Sequence, residues 1–348
     1  MSSRTSWFGA LSLLLVAASL AGCGKSNPVA TNSTSSRAVM EAQVSHAVAL
    51  GAPVVEDGLM ESADQTAIGA SVAGAQAAAL IQPLHYWRHI TDVERTFAFV
   101  FSDTDSTGMP TRAVVTIHKK LAGTFNILFD ATPGDSMLFD SVAVVKKPLH
   151  DFWERKVLLR RVPKMADDDE DENSPMAMNS HPGDDDEHGG GDSSQVEWRI
   201  VGVSGVKVTS FDPANSSGDN LAFGSTKIQS LRLMSASGDT TITEPLDFFR
   251  LRHTPAFMSG DDVTITATTM TNDDVVVLLR TGFRRRFHNN GDNTYTLTVH
   301  VEPEEGLHHF GVNALSHGTL FDDTAPYDSQ AWILPFRVKP SDVAATIP

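Results

Sequence analysis

"TFAFVFSDTDSTGMPTRAVVTI" runs from Thr96 to Ile117, and its period decides the fold class. Phe97, Phe99 and Phe101 recur at every second position. A polar stretch with Gly108 and Pro110 follows, and then Ala113, Val115 and Ile117 resume the same period. Alternation at period two buries one face of a strand, and a polar Gly- and Pro-containing break between two such runs marks a β-hairpin.

The pattern extends in both directions. Phe125, Ile127 and Phe129 predict a further strand, as do "RKVLLRRV" (155–162), "EWRIVGVSGVKVTS" (197–210) and "KIQSLRLMS" (227–235). After a turn at Ser237–Asp239 a second series begins. Val263, Ile265 and Ala267 alternate with Thr264, Thr266 and Thr268, and Tyr295, Leu297, Val299 and Val301 repeat the theme. "VVVLLR" (275–280) is continuously apolar, as in a strand covered on both faces. "HNNGDN" (288–293) is a hairpin turn, because Asn-Gly tolerates positive φ. Trp332, Leu334, Phe336 and Val338 close the series, and a buried Trp332 is expected. Ahead of the strands, Val39, Met40, Val44, Ala47 and Val48 fall at helical spacing before Gly51 and Pro53. Ala67–Ile81 reads as a second, weakly apolar helix.

The expected fold is therefore mainly β or α+β. A helical segment and antiparallel sheet come first, and a C-terminal β-sandwich of immunoglobulin-like architecture follows, since short alternating strands there run in series. The helical stretch followed by the 155–161 and 197–208 hairpin is similar to cystatin-like or NTF2-like sheets, a likeness that carries no functional residue across. The expected divisions are 1–22 signal peptide, 23–83 tether and helical segment, 84–240 β-rich domain, and 244–348 sandwich.

The net charge of −16 is mostly local. Eleven carboxylates lie between Asp167 and Asp192 with no Lys or Arg among them. The surrounding insert, 165–195, lacks an apolar period and is expected to be a disordered loop. The remainder is mildly acidic and has no broad basic surface, which argues against a nucleic-acid partner.

The N-terminus carries the firmest functional statement. Arg4 precedes an apolar run, Trp7–Leu20, which ends in small residues and Cys23, the only cysteine. Leu20-Ala21-Gly22-Cys23 resembles the lipobox of bacterial lipoproteins. That resemblance implies cleavage before Cys23, lipidation of its thiol, and anchoring in the cell envelope. Gly24 in place of Asp favours the outer membrane. Several acyl chains make a lasting anchor where one chain is marginal.

Other chemistry is sparse. Asp103, Asp105 and Thr107 before Gly108 resemble the opening of a calcium loop. Val114 stands where the bidentate carboxylate belongs, so a hairpin turn with solvated acids is the expectation. His181 and His188 sit among the acids of the insert. His308, His309 and His317 lie near Asp322 and Asp323, but adjacent strand residues face opposite ways and would not chelate one ion. Arg280, Arg284, Arg285 and Arg286 are split between two faces by alternation and lie close to Asp273 and Asp274. Edge protection or local ion pairing is expected of them. No nucleophile elbow, phosphate-binding glycine loop or redox cysteine pair occurs, and no cofactor or metal site is expected. The sequence thus points to a lipid-anchored, non-enzymatic envelope module with a protein or glycan partner. The alternative is an envelope hydrolase using scattered carboxylates and histidines.

Overall fold

The computed structural model describes residues 32–55, 58–68, 81–130, 142–163, 196–218, 220–251, 253–280 and 283–340. In chain order the first elements are α1 (Asn32–Leu50), α2 (Ala52–Val55), β1 (Thr66–Ala67), β2 (Pro83–Thr104), β3 (Pro110–Asp130), β4 (Val142–Pro163) and β5 (Val196–Ser217). Next come β6 (Asn220–Phe223), β7 (Ile228–Ser235), β8 (Gly238–Ile242), β9 (Phe248–Arg250), β10 (Ala256–Met258) and β11 (Asp262–Thr269). The last are β12 (Val275–Arg280), β13 (Phe283–Arg286), β14 (His288–Asn289), β15 (Thr294–His300), β16 (Gly306–Leu315), α3 (His317–Phe321) and β17 (Ser329–Lys339). The chain is mainly β, as the period-two pattern predicts.

The quoted stretch is the β2–β3 hairpin, paired from Pro83↔Phe129 out to Thr104↔Pro110. Gly108, at φ +79°, takes the left-handed turn position that disfavours a Cβ. β2 to β5 are 21 or 22 residues each, long enough that they must bend. Register shifts at Ile90/Asp92 and Arg155/Val157 supply the bend. Across the first shift, a Cβ on Gly123 would stand 2.1 Å from the His89 carbonyl oxygen, so only glycine fits.

The first sheet runs β1-β2-β3-β4-β5-β17-β16-β12-β13, antiparallel along this path. It curls until its ends approach. Arg284 Nη2 donates to the Ser62 carbonyl and Arg286 Nη1 to the Ile68 carbonyl, each at 3.3 Å, across the seam between β13 and the β1 segment. The second sheet, β14-β15-β11-β7-β8, lies face to face on the outer side of β12, β16 and β17.

Two cores result. Inside the curl, Val275, Val277, Leu279, Leu315, Ala331 and Ile333 meet the long strands. Val44 and Val48 of α1, Val54 and Val55 of α2, and Leu59 and Met60 belong to this core too. Outside, Val276, Leu278, Val312, Ala314, Trp332 and Leu334 meet the second sheet. The continuous apolar run at 275–280 is thus covered on both faces.

The structure differs from expectation in three places. The pairing crosses the expected boundary at 244: β17 pairs with β5, and β7 lies inside the second sheet against β11. Residues from Glu41 onward form one compact unit, because both cores draw on strands from either side of that position. Ala67 belongs to a strand paired with β2 rather than to a helix, and residues 69–80 lie outside the described residues. Finally, α1 begins at Asn32, inside the polar Ser-, Thr- and Asn-rich stretch from Lys25 to about Ser36 that the sequence suggests is a flexible tether.

Candidate functional site

The strand from Phe283 to Asn289 leaves the first sheet as β13 and joins the second as β14. Phe287, buried, is the corner between them. β14 pairs with Tyr295 and Thr296, and among the described residues the edge of β15 beyond them has no neighbour strand. Where the two sheets part at this edge, a cleft of about 260 Å³ opens. Its walls are Phe257, Val263, Ile265, Leu278, Phe310 and Phe336. Val299 and Val301, with the polar Arg280, Arg285, His300 and Glu302, complete the lining. Hairpin register explains the paired arginines: Leu278↔Arg285 and Arg280↔Phe283 are partners, so Arg280 and Arg285 share a face. Arg284 and Arg286 take the opposite face and reach the seam. Arg280 Nη2 stands 3.6 Å from Glu302 Oε2, and His300 Nδ1 is 3.1 Å from Asp262 Oδ1.

The interior of the curl is polar in a way the cleft is not. Arg88 Nη1 lies 3.1 Å from Asp151 Oδ2, with both side chains at most 1% exposed. The Tyr327 hydroxyl donates to the same carboxylate oxygen at 3.1 Å and lies 2.6 Å from Ser329 Oγ. Burial pushes the Asp151 carboxyl up, and Arg88 pulls part of that back. Arg155, also buried, donates to the Val54 and Val55 carbonyls at the end of α2. Lys119 Nζ is 2.9 Å from Glu61 and 4.7 Å from the Trp153 ring centroid. His309 is pushed down to about 3 by burial and then by the Arg155 charge.

A further hollow of about 340 Å³ is lined by Asn272, Asp273, Asp274, Arg286 and His317, among others. Burial pushes Asp274 up to about 6, although Thr271 and Thr269 hydroxyls oppose the shift. On the outer face of β2–β4 a groove of about 480 Å³ holds Glu94, His118, Lys120, Glu154 and Phe152. Phe152 packs between His118 and Phe223, at 5.1 and 6.0 Å between ring centroids.

The residues singled out from sequence fall as follows. Asp105 holds the β2–β3 turn: Oδ1 accepts from Thr107 N, Thr107 Oγ1 and Met109 N, and Oδ2 pairs with Arg161 at 3.1 Å. The Thr107 hydroxyl, more than any other contact, holds its carboxyl below the usual range. Asp103 stands 3.8 Å from Arg112. His308 and His309 do point to opposite faces. His308 lies against Phe336 and the Glu304 carbonyl, His309 on the interior side, and His317 stacks on Phe321 at 4.5 Å. Asp322 accepts from Thr324 N and Oγ1 and from Ala325 N. Among the described residues, these groups do not assemble into a set of three or more metal ligands. Cys23, the acidic insert, His181 and His188 lie outside the described residues. Sequence reasoning missed the cleft and the interior ions. For the ions a signal existed: Asp151 and Arg155 share the phase of Leu149, Trp153, Val157 and Leu159.

No family model, curated protein or solved structure matches the chain.

Proposed function

We propose that this chain is a lipid-anchored, non-enzymatic protein of the cell envelope, and that its binding seat is the cleft between the two sheets. One observation supports the seat. A concave, dominantly apolar surface there meets a few convergent polar groups, the usual composition of a small-ligand site. Among the described residues its lining contains no serine, threonine or cysteine, and its one carboxylate, Glu302, faces Arg280, which favours binding over catalysis. On this reading the second sheet with β12, β16 and β17 acts as an immunoglobulin-like sandwich that shares one sheet with the barrel. The cystatin- or NTF2-like likeness rests on α1 beside long antiparallel strands. The anchor rests on Leu20-Ala21-Gly22-Cys23.

Two measurements test this. With methyl-labelled protein, a neutral alkyl probe such as decanol should shift the Val263, Ile265 and Leu278 resonances; unmoved methyls would remove the seat. For the anchor, palmitate should label the wild type in its native host and not Cys23→Ser. An unlabelled, soluble wild type cut elsewhere sinks it.

The hydrolase alternative has one point in its favour, the groove bearing Glu94, Glu154 and His118. Glu94 is exposed and Glu154 half-buried, so water reaches both carboxylates, which is a poor setting for general acid catalysis.

A further inference from the structure

We infer that the cleft takes a single-chain amphiphile with a monoanionic head, a medium-chain carboxylate, with the alkyl chain between the sheets and the head at Arg280 and Arg285. This rests on the reading of the cleft as a binding seat and specifies its ligand. Three features carry it.

The first is size. An apolar cavity of about 150 Å³ takes a benzene-sized guest. The cleft, at about 260 Å³, suits something longer, and its walls are aliphatic or phenyl along their length. The second is that the opening follows from topology. The corner strand departs at Phe287 and β14 is only two residues long, so the mouth is built by the chain path. The third is charge. In a chain of net charge −16, the lining brings together two guanidinium groups against one carboxylate. Arg285 makes no ion pair among the described residues. Arg280 meets Glu302 at 3.6 Å, longer than the ~2.8 Å of a charge-assisted hydrogen bond, and Glu302 is 65% exposed. Donors on both arginines are therefore free to turn to an incoming anion. The balance of one surplus positive charge matches a monoanion. A cationic head would meet both arginines and be repelled.

The experiment compares decanoate, decanol and decyltrimethylammonium by calorimetry, with the methyl resonances of Ile265 and Leu278 reporting the site. Decanoate should bind about tenfold tighter than decanol, and the ammonium weakest. Shortening decanoate should weaken binding about fourfold per methylene. Arg280→Gln/Arg285→Gln should bring decanoate down to the level of decanol while leaving decanol unchanged, which also shows that the variant is folded. Arg285→Lys should keep the preference. Decanoate binding no better than decanol, or a preference that survives the double substitution, overturns the inference and leaves the apolar seat standing. If neither ligand moves the methyl resonances, the seat itself is lost.

Discussion

β12, β16 and β17 are walls of two cores at once, and the two are chemically unlike. Toward the barrel they enclose Arg88, Asp151 and Arg155 together with the buried Asn313 and the half-buried His309. Toward the second sheet they present Val276, Leu278, Val312, Trp332 and Leu334 to Leu231, Leu233, Ile265 and Tyr295. The apolar core is held by non-directional burial of surface. The polar core closes only when each charge meets its partner. Arg88 Nη2 and Asp151 Oδ1 have no hydrogen-bond partner among the described residues, so it is closed incompletely. A buried polar group left so costs roughly 1–3 kcal/mol.

The largest effect should come from breaking the buried pair. Asp151→Leu strands the Arg88 guanidinium in the barrel and should cost about 3–5 kcal/mol. Adding Arg88→Met should recover most of the loss, because two apolar side chains replace two desolvated ions. Urea unfolding of both variants measures this. Equal destabilisation by the single and double variants would show that the pair adds more than it costs, which would make the barrel interior the stronger core.

The apolar core should answer differently. Trp332→Ala removes a side chain that is 2% exposed and should cost about 3–5 kcal/mol through the cavity it leaves. Trp332→Phe should cost less than about 1.5 kcal/mol, since it keeps much of the volume and removes an indole N–H that has no acceptor among the described residues. A large loss in the phenylalanine variant would mean that this core depends on close shape fit rather than area, and would narrow the contrast.

How much of this contrast was legible in the sequence varies with range. Strand existence was legible, because period two is local: the burial of Ala113, Val115 and Ile117 in alternation is what the opening stretch predicts. Sheet membership was not. Ala331 pairs with Val208 and Leu231 with Ala267, and nothing in either segment names its partner. A boundary drawn at 244 from a change of strand series therefore cuts both cores. The cleft was hidden by register. Along one strand Arg280, Arg284 and Arg286 would share a parity, but the register pairs Leu278 with Arg285 and Arg280 with Phe283, so Arg285 joins Arg280. The interior ions were closer to legible. A charge in the phase of buried aliphatics, as at Asp151 in β4, is a sequence signal for a barrel interior.

A pH-dependent effect, smaller than that of either Asp151→Leu or Trp332→Ala, lies at the margin between the two cores, at Asp274 beside the start of β12. Its carboxyl is pushed up to about 6, first by burial, with Asp273 and Asp328 adding repulsion. The sign follows from proton binding. Between the ordinary carboxylate range and about pH 6 the folded chain holds a proton that the unfolded chain releases. Folding is therefore favoured below about pH 4, and that advantage is lost as pH rises through 6. The full shift is worth about 3 kcal/mol, reduced to roughly 2 because the side chain borders an open hollow. His309 has the opposite sign: pushed down to about 3, it stabilises the fold above its ordinary range, and this is lost as pH falls. The two slopes oppose each other, so the wild-type curve alone reveals neither. Subtracting the unfolding free energies of Asp274→Asn from those of the wild type, at each pH from 4 to 8, isolates one. The asparagine variant should be about 2 kcal/mol more stable than the wild type at pH 8 and lose that advantage by pH 4. A difference that does not change with pH would mean the carboxylate is solvated as an ordinary surface acid. The margin of the apolar core would then be wetter than its lining suggests.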